Sequence, residues 1–237
     1  MDIIQIAIMI KKFSKAIVIS ASLWGIGTSA LSANTPMHIL VMGDSLLASH
    51  SATGRAVSDS IAKSLSATVT DKSVMAARII YKLPITGSMG MSIPKQYRKG
   101  DWDWVVVNGG GNDLVFGCGC NRCGRKMNKL VGETGQRGGI PKLIASLRAT
   151  GARVIYVGYL RSPGVDSPIE NCKDEGDELE RRIGELAASD QGVFLVSLAD
   201  LVPFGDRSYH AVDMVHPSLK ASREIGVRIA DVIRKNP

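Results

Sequence analysis

The sequence predicts an α/β fold in which helices cover both faces of a parallel sheet. Short runs of β-forming residues alternate with helical stretches along most of the chain, the pattern of repeated β-α units. Residues 104–107 (WVVV) are apolar without interruption, as a strand buried on both faces has to be. Polar clusters follow the first and third of these runs directly, where open α/β sheets place their ligands, outside the carboxyl ends of the strands. The chain has 237 residues, 45% hydrophobic and 22% charged, near globular averages, which argues against disorder and fibrous repeats. Aromatic residues make up only 5%, so the core is expected to be built from Val, Ile, Leu, Ala and Met.

Taken in order, residues 38–42 (HILVM) read as the first strand, running straight into Gly43-Asp44-Ser45. Residues 53–65 read as a helix with Ala56, Ile61, Ala62 and Leu65 on one side. Residues 67–69 are a short second strand and 104–107 the third. Residues 140–149 are helical, with Gly151 as their C-terminal stop. Residues 154–157 form strand four, 178–188 a charged amphipathic helix, and 193–198 strand five. A helix over 218–234 closes the chain, with Ser218 as its N-cap. No Pro/Gly/Ser linker divides these units, so residues 34–237 are expected to form a single domain. One stretch breaks the rhythm: residues 109–139 carry ten of the 25 glycines and three of the four cysteines, and read as a long functional loop.

The first 33 residues have a different character. Lys11, Lys12 and Lys15 precede an uncharged apolar run, 16–26, and then small residues up to Ala33. That order is the signature of a secretory signal, with cleavage expected between Ala30 and Ala33. Met9 is the expected translation start, because the apolar stretch 3–10 does not suit the head of a signal. As a helix the run of 11 residues reaches about 16 Å, against a hydrocarbon core of about 30 Å, so no stable membrane span is expected. A periplasmic or secreted protein follows. Losing Lys11, Lys12, Lys15 and Asp2 changes the net charge from +7 to +5. No basic helix, zinc-finger spacing or aromatic RNA-binding motif accompanies that charge, so nucleic acid is not an expected partner. The cations Arg122, Arg125, Lys126 and Lys129 read as a solvated loop face.

Three clusters carry the chemistry: Gly43-Asp44-Ser45 after strand one, Gly110-Gly111-Asn112-Asp113 after strand three, and Asp213-Met214-Val215-His216 before the last helix. Each alone has a bland reading, as a turn, an Asx loop or a surface pair. A serine hydroxyl is a poor nucleophile until a base takes its proton. His216, with an unperturbed pKa of about 6.5, is suited to that role, and Asp213 three residues earlier can orient it. Asn112 offers an amide donor to a developing oxyanion. His210, six residues before His216, is the rival base; its bland reading is a substrate contact or plain surface histidine. His38 and His50 are assigned nothing, and Asp44 and Asp113 are expected to hold their loops by local hydrogen bonds.

Together, in this order and after these elements, the clusters resemble the SGNH (GDSL) hydrolase family from Met42 to Pro217. The resemblance implies a three-layer α/β/α arrangement on a flavodoxin-like five-stranded parallel sheet. It also implies a serine esterase working through an acyl-enzyme and needing no cofactor or metal. Ser45 would be the nucleophile and Asp213 and His216 the rest of the triad. Ser45, Ala76 and Asn112 would form the oxyanion hole. Ala76 stands where the family has a glycine, within Asp71-Lys72-Ser73-Val74-Met75-Ala76-Ala77; if that position needs positive φ, alanine costs about 1 kcal/mol or more. Implied partners are small acyl esters, with an envelope lipid or an acetylated glycan among the candidates. Acyl transfer, thioester hydrolysis and a non-catalytic envelope-binding role on the same fold are the alternatives.

Cys118, Cys120, Cys123 and Cys172 allow three disulfide pairings or a four-thiolate zinc site. Export favours two disulfides. Either outcome would tie the glycine-rich stretch to the loop after strand four and shape the substrate entrance.

Overall fold

A computed structural model describes residues 36–164 and 167–237; the expected export signal lies outside the described residues. Five parallel strands form one sheet in the order β2-β1-β3-β4-β5, from β1 (His38–Met42), β2 (Thr68–Asp71), β3 (Trp104–Val107), β4 (Arg153–Val157) and β5 (Val193–Val196). Among the described residues, eight α-helices connect and cover them: α1 (Ser45–Ala48), α2 (Val57–Leu65), α3 (Pro84–Thr86), α4 (Gly111–Cys118), α5 (Gly124–Leu130), α6 (Gly139–Arg148), α7 (Lys173–Ser189) and α8 (Leu219–Lys235).

Alternation along the strands sorts the core into two clusters. Ile39, Val41, Val106, Ile155 and Val157 point to one face, against Val57 and Ile61 of α2 and Ile225, Ile229 and Ile233 of α8. Leu40, Met42, Val105, Val107, Val154 and Tyr156 point to the other. They meet Met127 and Leu130 of α5, Ile140, Ile144 and Leu147 of α6, and Leu179 and Ile183 of α7. Each such buried aliphatic side chain contributes roughly 1.5–3 kcal/mol. The result is the three-layer α/β/α arrangement. Among the described residues, no helix is long and apolar enough to cross a membrane.

Several boundaries differ from the sequence expectation for identifiable reasons. α2 begins at Val57 because Gly54, at φ +63°, ends a separate 3-10 turn over Ser51–Thr53. β2 runs on to Asp71 because Thr70 and Asp71 pair with Leu40 and Val41; the ladder, not residue preference, fixes its length. α7 starts at Lys173, five residues earlier than expected. Asp174 and Glu175 sit in its first turn, where acidic groups suit the helix dipole. Ser218 caps α8 as expected, accepting from Ala221 N at 3.2 Å.

The largest correction concerns residues 109–139, which are not one long loop. They hold α4, α5 and the start of α6. Glycine's low helix propensity is overridden by burial of Leu114, Met127 and Leu130 and by two disulfides, Cys118–Cys123 and Cys120–Cys172. The four thiols are thus paired with one another, and no group of side chains suited to a metal occurs among the described residues. Cys120–Cys172 joins the α4–α5 turn to the segment before α7, the link expected from sequence.

Candidate active site

The sheet register sets the site. Met42 pairs with Val107, so the chain leaves β1 and β3 side by side. Gly43 then lies against Asn108, where a Cβ would stand 2.9 Å from Leu47 Cδ1 and 3.2 Å from the Asn108 carbonyl, a space only glycine fits. Asn108 accepts from Asp44 N at 3.5 Å and donates to Val157 O at 3.2 Å, joining the ends of β1, β3 and β4. On the other side of Gly43, the buried Gln96 receives Gly43 N at 2.7 Å and donates to Gly43 O at 2.9 Å and Gly90 O at 2.8 Å.

Asp44 caps α1 by accepting from Leu46 N at 3.0 Å, which presents Ser45 as the first helical residue. Its second carboxylate oxygen accepts from the Tyr159 hydroxyl at 2.5 Å, and that hydroxyl accepts from Gly111 N at 2.9 Å. Burial raises the Asp44 pKa to about 6, against the hydrogen bonds from Tyr159 and Leu46. Burial likewise pushes the Tyr159 hydroxyl well up, with the Asp44 charge adding to it. Asp44 therefore does hold its loop, through a partner 115 residues away.

Gly110, at φ +104°, turns the chain from β3 into α4 and brings Asn112 forward. Asn112 Nδ2 donates to Ala77 O at 3.1 Å, and Asp113 accepts from Ile79 N and Ile80 N, each at 2.9 Å. These bonds pull the segment after β2 against α4, so Asp113 holds a distant loop and not only its own. Ala76 is exposed at φ +60°, the conformation that favours glycine. Among the described residues its N–H has no hydrogen-bond partner, and neither has that of Ser45.

Asp213 and His216 meet closely. His216 Nδ1 lies 2.5 Å from Asp213 Oδ2, while Oδ1 accepts from Val215 N and His216 N at 3.0 Å each. Burial acts to raise the Asp213 pKa, but the bonds from the His216 ring and the two backbone N–H groups outweigh it and hold it at about 2. His50 Nε2 contacts Pro217 O at 2.9 Å and fixes the far end of this loop, a role its sequence context does not announce.

Ser45, Asn112 and His216 line one pocket of about 110 Å³. Its remaining wall is largely apolar, with Leu114, Val115, Leu160, Ile169, Leu179 and the Cys120–Cys172 disulfide. Ala76 does not border it. The Ser45 hydroxyl and His216 Nε2 make no hydrogen bond among the described residues, so both are available within that pocket. Tyr159 and Arg161 also line it; Arg161 is paired with Asp177 at 2.8 Å and Glu180 at 3.0 Å. Sequence reasoning missed Tyr159, although its place two residues beyond β4 is one the carboxyl-end rule could have flagged.

His210 is corrected. It is buried, not a surface residue, and neither ring nitrogen has a partner among the described residues. Burial lowers its pKa against the pull of the Asp213 charge. It does not line the pocket and is no rival base.

Comparison with known proteins gives the family and the fold. Residues 41–223 match the model of the GDSL-like lipase/acylhydrolase family. Among solved structures, a Slackia heliotrinireducens protein assigned as an SGNH hydrolase is 22% identical, with 84% of this chain and 99% of that chain covered at TM-score 0.54. The psychrotrophic esterase EstA from Pseudoalteromonas sp. is 15% identical, covering 84% and 97% at TM-score 0.54. An acetyl xylan esterase, Est2A, from Butyrivibrio proteoclasticus is 16% identical, covering 84% and 64% at TM-score 0.54. At these identities the likeness is one of fold. Among curated proteins, none matches the chain. The chain belongs to the GDSL-like lipase/acylhydrolase family and is a hydrolase acting on ester bonds.

Proposed function

We propose that the protein is an exported serine esterase that cleaves small carboxylic esters through an acyl-enzyme. The observation that carries this reading is the bonded Asp213–His216 pair with its free Nε2, on the pocket that also holds the unbonded Ser45 hydroxyl. In the first half-reaction His216 Nε2 takes the Ser45 proton as Oγ forms a bond to the ester carbonyl carbon. The carbonyl electrons move to oxygen, which receives the N–H of Ser45 and the second Nδ2 hydrogen of Asn112; Ala76, outside the pocket lining, is left out of this step. Collapse expels the alkoxide, which takes the proton back from His216 and leaves as alcohol. Water then repeats the sequence against the acyl-enzyme and releases the acid. Asp213, ionised above about pH 2, keeps Nδ1 protonated and stabilises the imidazolium.

Export rests on the order of charges and apolar residues over 11–33. N-terminal sequencing of the protein recovered outside the cytoplasm is expected to begin just after the Ala30–Ala33 stretch. The natural ester would come from an envelope lipid or an acetylated glycan.

With p-nitrophenyl acetate, Ser45→Ala is expected to lower kcat at least about 10³-fold, and Asn112→Ala about 10²–10³-fold. A fluorophosphonate probe should label the wild type at Ser45 and leave Ser45→Ala unlabelled. Near-normal turnover by Ser45→Ala overturns the mechanism.

A further inference from the structure

Residues 72–100 contain six Lys and Arg (Lys72, Arg78, Lys82, Lys95, Arg98 and Lys99) and not one Asp or Glu. Among the described residues none of the six makes an ion pair. The segment forms a lobe on the carboxyl side of β2, comprising α3, a wide turn over Gly87–Met91 and a 3-10 turn over Ile93–Gln96. Its inner side is fixed: Ala77, Ile79 and Ile93 are core residues, and Gln96 ties it to Gly43. Its outer side presents Leu83, Ile85 and Met89, which are 62%, 77% and 73% exposed.

Three large aliphatic side chains exposed within residues 83–89 form a cluster, unlike the single exposures scattered over an ordinary surface. The cations accompany them. Lys82 adjoins Leu83 in sequence, and the Lys95 ammonium reaches to 3.7 Å of where a Gly87 Cβ would stand, between Ile85 and Met89 along the chain. The lobe also carries Ala76, and its Arg78 guanidinium lies 4.9 Å above the ring of Phe116, next to the pocket residue Val115.

We propose that this lobe docks the enzyme on an anionic lipid bilayer, with Leu83, Ile85 and Met89 entering the interface and the cations on the headgroups. An apolar tip with lysines beside it is the combination that such surfaces reward. A purely polyanionic partner would leave the three aliphatic tips in water. A second copy of this chain would set six unpaired cations against six more. Docking there brings the Asn112 side of the pocket close to the membrane, whatever ester the site cleaves.

The test is co-sedimentation of the full-length protein with phosphatidylcholine vesicles, with and without phosphatidylglycerol. All variants share residues 1–35, so differences among them report on the lobe. Binding is expected to require phosphatidylglycerol and to weaken as salt rises. Leu83→Ser/Ile85→Ser/Met89→Ser should bind at least about tenfold more weakly. Lys82→Gln/Lys95→Gln should bind about 30-fold more weakly, from about 1 kcal/mol per cation near the surface. All five positions are exposed, and thermal unfolding of each variant checks the fold without relying on turnover. Equal binding to both vesicle types, wild-type binding by either folded variant, or self-association that the triple variant abolishes overturns the proposal.

Discussion

Replacing Cys120 and Cys172 together by alanine removes the cross-link that carries most of the topological constraint. The bridge spans a sequence separation of 52, whereas Cys118–Cys123 spans 5. Loop-closure entropy then assigns roughly 4 kcal/mol to the first and roughly 2 kcal/mol to the second at 25 °C. Set against a total stability of about 5–15 kcal/mol, the loss leaves the chain folded but with a narrow margin. With a slope of about 2–3 kcal/mol per molar urea, the unfolding midpoint should fall by roughly 1.3–2 M. Removing Cys118 and Cys123 instead should cost about half as much. Equilibrium urea unfolding followed by tryptophan fluorescence measures both. A shift below about 0.4 M for the Cys120/Cys172 pair would refute the reasoning, because the unfolded chain would then be no freer without the bridge.

Two further outcomes follow from the site. Ala76→Gly relieves a side chain held at φ +60° on the surface and leaves the N–H in place. It should raise stability by about 1 kcal/mol without loss of ester turnover, and a destabilised variant would contradict the assigned strain. Asp44→Asn keeps an acceptor for Leu46 N and removes a carboxyl whose folded pKa, about 6, lies above its usual 3.8. Ionising that buried group costs the folded state progressively as pH rises from about 4 through 6, so the wild type loses stability relative to the variant over that window. Urea unfolding should show an advantage for Asp44→Asn of up to roughly 3 kcal/mol at pH 8 that disappears below pH 4; a pH-independent difference would count against it.

The residues of the candidate site were legible because each cluster immediately follows or precedes an element that the hydrophobic pattern identifies. Ser45 follows β1, Asn112 follows β3, and Asp213 with His216 precedes α8, so locating the elements located the residues. What stayed hidden acts across the chain. Tyr159 and Gln96 hold the Ser45 turn from 115 and 53 residues away; only its place just beyond β4 marks Tyr159, and nothing in its neighbourhood marks Gln96. His210 lies in a polar stretch and is buried only by the tertiary arrangement around it. The glycine-rich stretch misled for the opposite reason: local preference opposed helix, and cross-links with a buried aliphatic face decided the outcome.

The Tyr159 hydroxyl has a mechanical consequence. By holding Asp44 with one bond and Gly111 with another, it acts as a strut between the arm that bears Ser45 and the arm that bears Asn112. Shortening that strut would let the two arms drift independently, while the fold beneath them stayed intact. Tolerance to change at the rim of this enzyme should therefore be uneven. Loops that only border the opening can be rebuilt, but any insertion that displaces the turn after β4 transmits its movement to both arms.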